Sequence, residues 1–181
     1  MSHTPWLING SDSAVDALGD SGTLKTAINE AYANARVQVV GIRVEKSALS
    51  AGQQASIVAG MSAFALAQSM LKVHPRIFIA PEFSEDDTVG KALESIATRL
   101  SGVAYLDSPS MATMSEVVQR RDKYGERVEI LRPRVLTADS DGVSVYRPYS
   151  AYAAGLRAKV DLELGFWHSK SNKEVLGFEG L

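Results

Sequence analysis

Between Pro75 and Pro133 the chain alternates strand-length apolar runs with helix-length segments, and this alternation constrains the fold more than any other feature. "PRIFIAP" (Pro75–Pro81), "VAYLD" (Val103–Asp107) and "RVEILRP" (Arg127–Pro133) are rich in branched and aromatic residues and have the length of strands. Between the first two, Val89, Leu93, Ile96 and Leu100 recur at helical spacing and fall on one side of a helix. Ser84 is expected to cap that helix, with Glu85, Asp86 and Asp87 in its first turn, where the helix dipole favours negative charge. Arg99 suits its last turn, and Gly102 is expected to supply a left-handed stop. A second helix, from about Thr113 to Tyr124, leads to the last of the runs. A strand that returns through a helix lies parallel to its predecessor, so the pattern predicts an α/β layer fold.

The flanking sequence extends this pattern. "PWLI" (Pro5–Ile8) reads as a strand, followed by a short helix capped by Ser11 or Asp12. Leu24, Ala27, Ile28, Ala31 and Ala35 mark one face of the next helix. Arg36–Glu45 reads as a central strand, and Ala48–Val73 as one long helix packed closely on a sheet. "DSDG" (Asp139–Gly142) is a turn signal that predicts a hairpin over 134–147. A helix over Ser150–Leu164 and a weak strand at Val175–Phe178 complete the chain. The expectation is a single α/β domain over residues 1–181. It has a mostly parallel sheet of at least four strands flanked by helices, plus the hairpin.

Composition and motifs remove most chemistries. Cysteine is absent, which excludes disulfides, thiolate metal sites and cysteine nucleophiles. The net charge of -2 gives no general attraction to nucleic acid or to an anionic membrane. The basic residues of Arg120–Arg127 are interleaved with Asp122 and Glu126, as on a solvated helix end, so no nucleic-acid partner is expected. Ala55–Leu71 carries Ser, Gly and Gln and reads as a buried helix rather than a membrane span. No GxGxxG or GxxxxGK[ST] follows any strand, and His3, His74 and His168 have no partner at ligand spacing. Neither a cofactor nor a metal is expected. "GMSAF" at Gly60 departs from a nucleophile elbow at its last residue and lies inside a helix. Asp107 and Glu82 stand at strand ends, where α/β ligand sites form. They keep open the alternative of a small enzyme or ligand-binding domain, against the plainer reading of "DSP" as a turn.

The stretch "GLRAKVDLELGFWHSKSN" (Gly155–Asn172) asks for its own reading. Leu156, Val160 and Leu164 are expected to face inward, and Gly165 to end the helix. Arg157 with Asp161 and Lys159 with Glu163 are spaced as helix ion pairs. His168 beside Ser169 is no dyad, because adjacent side chains diverge. The Phe166–Trp167 pair is expected to cover the edge of the core, with anchoring of a partner as the other reading.

"YAAGLRAKVDLELGFWHSKSN" resembles a segment of contractile-tail sheath proteins of tailed bacteriophages and of phage-like particles such as R-type pyocins. "HPRIFIAPEFS", the strand ending in "YLD", "TMSEVVQRRDKYGERVEILRP" and "KTAINEAYANARVQVVGIRVE" resemble the family's other units in the same order, from about residue 5 onward. The resemblance implies a structural, non-enzymatic subunit of a virion tail that assembles in the host bacterial cytoplasm. Such subunits stack as hexameric rings around a tail tube and contract to drive it through the host envelope, without a cofactor. It recasts Arg157, Lys159, Asp161, Glu163, Trp167 and His168 as a candidate surface between subunits. Family members are longer, so the chain is expected to be the protomer core without the N-terminal arm and C-terminal domain, and to be monomeric on its own.

Overall fold

A computed structural model describes residues 3–139 and 141–181. In chain order the elements are β1 (Pro5–Ile8), α1 (Asp12–Asp16), α2 (Leu24–Tyr32), β2 (Val39–Ile42), α3 (Ser50–Met61), a 3₁₀ segment (Ser62–Leu66), α4 (Ala67–Leu71), β3 (Ile77–Ile79), α5 (Asp87–Arg99), β4 (Val103–Asp107), α6 (Met114–Arg121), β5 (Val128–Leu131), β6 (Val135–Ala138), β7 (Ser144–Arg147) and α7 (Ser150–Glu163). The α/β class and the helix-flanked parallel sheet are present: β3, β4 and β5 pair in parallel in that order. Alternation along β4 separates two cores. Ala104 and Leu106 face α3 and α5 with Phe78, Val89 and Leu93. Tyr105 and Val103 face α7 with Ala153 and Ala154.

The expected count of at least four strands in one sheet is corrected. Among the described residues the parallel sheet has three, and β2 pairs antiparallel with β1 in a sheet of two. That pair closes a separate small core with α1 and α2, around Ile8, Val15, Leu18 and Ile28. Only Val39–Ile42 of the expected run pairs as a strand, and the Arg43 side chain donates to the Leu18 carbonyl at 2.9 Å. The predicted hairpin forms as β6–β7. The expected strand at Val175–Phe178 does not; near it the chain makes a single antiparallel bridge, Leu136 to Gly180.

Local details also move. Ser84 does not cap α5: Asp86 does, accepting from the Thr88 and Val89 amides at 2.8 and 3.2 Å. Ser101, not Gly102, takes the left-handed conformation, with φ 53°. Gly102 is needed for another reason, since a Cβ there would lie 2.3 Å from the Arg76 carbonyl oxygen. The long helix is split by the 3₁₀ segment, where helical hydrogen bonding tightens. Ser50–Leu71 is long and apolar enough to cross a membrane, with a mean hydropathy of 1.2. Here Ile57, Met61, Ala63 and Ala67 turn into the core, and the opposite side is exposed.

α7 packs against α2, with a close approach at Gly155. A Cβ at this position would sit 2.2 Å from the Ala31 carbonyl oxygen, a backbone atom with no freedom to withdraw. Helix propensity favours alanine over glycine by about 1 kcal/mol, but the clash reverses the sign. Gly155→Ala is expected to destabilise by about 2 kcal/mol, the range for overpacking a tight contact. A urea titration in which Gly155→Ala matches or exceeds the parent midpoint would refute this packing.

Candidate functional site

The carboxyl edge of the parallel sheet is where an α/β fold offers a ligand site. Here it is filled by the chain's own polar groups. Asp107, at the end of β4, is 2% exposed. Its Oδ1 accepts from the Ser150 amide at 2.8 Å, and its Oδ2 accepts from the Ser84 and Ser150 hydroxyls. The carboxylate thus satisfies an amide at the start of α7 that has no helical partner of its own. Burial pushes its pKa up, while the hydroxyl and amide donors oppose the rise. Arg120, on α6, donates to the carbonyls of Asp107 and Ser84, each at 2.6 Å, and to Asp87 at 2.9 Å. Asp87 is pushed up by partial burial, but donors from Arg120, Lys123 and Tyr124 outweigh that and hold it at about 2. Four separate parts of the chain therefore meet at one buried polar lock.

Asp107 is consequently not a group presented to solvent. Glu82, the other strand-end carboxylate, has φ 69° and lies 3.5 Å from Arg134. It lines a cavity of about 70 Å³ with Glu30, Arg147, Thr23 and Thr26. Glu30 is 8% exposed and makes no hydrogen bond or ion pair among the described residues. Burial raises its carboxyl to about 7, against the pull of Arg147 and with help from Glu82 and Asp107. Sequence reasoning missed Glu30, because a lone glutamate beside Ala27, Ile28 and Ala31 has the pattern of a solvated helix flank. A hollow of about 320 Å³ lies instead over β4 and β5 beside Tyr105, Arg121 and Glu126. No group of His, Cys, Asp and Glu suited to a metal occurs among the described residues.

The candidate surface on α7 is partly taken up within the chain. Arg157 pairs with Asp161, its Nε at 2.8 Å, and donates to the carbonyls of His168 at 2.7 Å and Phe166 at 2.9 Å. It clamps the loop to the helix that precedes it. Lys159 and Glu163 form no ion pair with each other. Leu164 is 41% exposed, contrary to the inward-facing expectation, because α7 has already ended at Glu163. The core-edge reading of the aromatic pair is likewise overturned, with Phe166 79% and Trp167 72% exposed. Trp167 folds over Gly165, whose φ of 103° ends the helix, and meets Phe166 edge to face at 5.2 Å. His168 stands exposed beside them.

An α/β module with its strand-end edge closed by its own side chains, and with a braced aromatic loop on its surface, is laid out as a packing unit. Residues 55–181 match the phage tail sheath protein central domain, and the chain belongs to that family. It is 31% identical over 188 residues to a putative prophage major tail sheath protein of Pseudomonas aeruginosa (strain UCBPP-PA14), covering 98% of this chain and 49% of that protein. It is 27% identical over 194 residues to the tail sheath protein of Escherichia phage P2, with the same coverage of 98% and 49%. The chain thus spans about half the length of the curated relatives it matches. Its fold is shared with the anti-feeding prophage (AFP) baseplate in the contracted state, at TM-score 0.72 and 15% identity over 97% of this chain and 50% of that one. It is also shared with the contracted sheath complex of the extracellular contractile injection system PVC, at TM-score 0.66 and 16% identity over 99% and 46%.

Proposed function

We propose that this chain is the core building block of a contractile tail sheath. In this reading it is a structural, non-enzymatic part of a virion or phage-like tail, assembled in the host bacterial cytoplasm. Copies stack as hexameric rings around a tail tube and shorten to drive it through an envelope. The observation that carries the reading is the family match across most of the chain. The closed strand-end edge agrees with it: Asp107 already accepts from three donors, which argues against the alternative of a reaction site there. No cofactor, nucleic acid or membrane enters the proposal. Residues 1–181 act as one protomer core, and an N-terminal arm and a C-terminal domain supply the elements that knit subunits together.

The test is to express this chain and, from the same source DNA, the reading frame to its natural ends. Light scattering and negative-stain microscopy then follow. Ordered tubes from the longer product and monomers from residues 1–181 are expected. A reading frame that ends at Leu181 and yields only a non-assembling monomer would sink the proposal, as would ordered tubes from the short chain for the assignment of the knitting elements.

A further inference from the structure

We infer that the Phe166–Trp167 loop of one chain docks on the outer face of the Ser50–Leu71 helical run of a second copy, in a head-to-tail contact. The inference rests on the sheath reading for its partner, a copy of the same chain. Its physical grounds are separate.

The loop has the properties of a preformed anchor. Phe166, Trp167 and Leu162 are 79%, 72% and 71% exposed. Large exposed aromatics are the side chains that dominate interfaces, and they do so best when little ordering is left to lose on binding. This loop is already ordered by the Arg157 clamp and by the Trp167 ring lying on Gly165.

The proposed receiving face is as unusual. No charged residue occurs between Lys46 and Lys72. Leu49, Leu66 and Met70 are 74%, 49% and 53% exposed along it. A soluble helix ordinarily places charges on its outward side, and this one places none.

Position and charge select a second copy as the occupant. The inward side of α3 packs in the core on one face of the parallel sheet, with Phe78 and Leu106. α7 packs on the other face, and the loop beyond it follows, since Lys170 lies 4.0 Å above the Tyr105 ring. The two apolar patches are therefore different surfaces on opposite sides of one molecule. A contact between them cannot close as a two-fold pair and instead repeats head to tail from copy to copy, as a ring where the rotation closes or as an open helical array where it does not. Exposed Glu163 borders the loop and exposed Lys46 and Lys72 border the helical face, and none of the three has an ion pair among the described residues. Glu45, also exposed, stands beside Lys46, so the border of the helical face keeps a net positive charge opposite Glu163. A few side chains on each side fall short of the roughly 800 Å² per partner of a stable complex. The contact is weak in isolation, in keeping with a monomer in dilute solution, and gains strength by repetition.

The absence of cysteine makes the test clean. His168→Cys and Ser69→Cys place single thiols on exposed positions beside the loop and beside Met70. The two variants are mixed at high protein concentration and oxidised. Dimers linked 168 to 69 are expected to exceed both like-with-like dimers, and Trp167→Ala in the first variant should lower their yield about tenfold, as for loss of an interface anchor. Unchanged thermal melts of the variants verify that they fold. A random mixture of linkages, a yield indifferent to Trp167→Ala, or flotation of the chain with phosphatidylcholine vesicles in place of the linkage would overturn the contact. The same thiol pair oxidised within tubes of the longer product separates the two claims. Tubes without the 168–69 link refute the contact and leave the sheath reading standing. A product that forms no tubes refutes the sheath reading, while a link formed in the short chain still stands.

Discussion

Asp107→Ala is expected to destabilise the chain by about 3 kcal/mol, roughly 1 kcal/mol for each of three buried donors left without an acceptor. Those donors are the Ser84 hydroxyl, the Ser150 hydroxyl and the Ser150 amide. The change should shift the chemical-denaturation midpoint strongly, because it strikes the start of α7 and the loop before α5 together. Asp107→Asn keeps one side-chain acceptor and is expected to fall between the parent and the alanine variant. If Asp107→Ala unfolded at the parental denaturant concentration, the carboxylate would not be the acceptor on which these donors depend.

The second large effect is one of pH and belongs to Glu30. Its carboxyl ordinarily titrates near 4.5 and stands at about 7 in the fold, where burial disfavours the charged form. The folded chain therefore holds a proton that the unfolded chain releases across this window. The stabilisation is fully present below pH 4.5 and is lost as pH rises through 7. Its full size is about 3 kcal/mol, from the width of the window at 1.36 kcal/mol per unit. The groups facing Glu30 are Arg147 from β7, Glu82 from the loop after β3, Asp107 from β4 and Tyr152 from α7. Asp87 acts in the opposite sense but elsewhere: its contribution is lost as pH falls from 3.8 through about 2, so the two windows stay apart. Urea midpoints measured from pH 5 to 8 should fall in the parent and stay nearly level in Glu30→Gln. Parallel slopes in the two proteins would show that Glu30 is not the group responsible.

Much of the architecture was legible because it is written locally. The stripe of Val89, Leu93 and Ile96 needs only helical spacing to be read, and all three are buried. The same holds for the hairpin, whose "DSDG" turn stands between two apolar runs. What failed depends on distant partners. Arg36–Glu45 has the apolar character of a central strand, but nothing within it says that β1 is its one strand neighbour among the described residues. Ser84 and Asp86 are both competent caps, and the choice is made by Asp107, 23 residues away, which engages the Ser84 hydroxyl. Trp167 could as well have turned inward; the early end of α7 and the Arg157 clamp hold it out. Glu30 was invisible for the reason that makes it interesting, since a buried carboxyl leaves no mark in a helical pattern.

The polar lock has a mechanical consequence. α7 and α5 lie on opposite faces of a sheet that has three strands among the described residues. The Asp107 side chain grips the start of α7, while Ser84 and Arg120 tie the same residue to the start of α5 and to α6. A pull applied to α7 thus reaches the far layer through a few short side-chain bonds, without stretching the loops between the elements. Both layers should move as one stiff body under load, and the first part to yield should be the junction at Ser150 rather than the sheet beneath it.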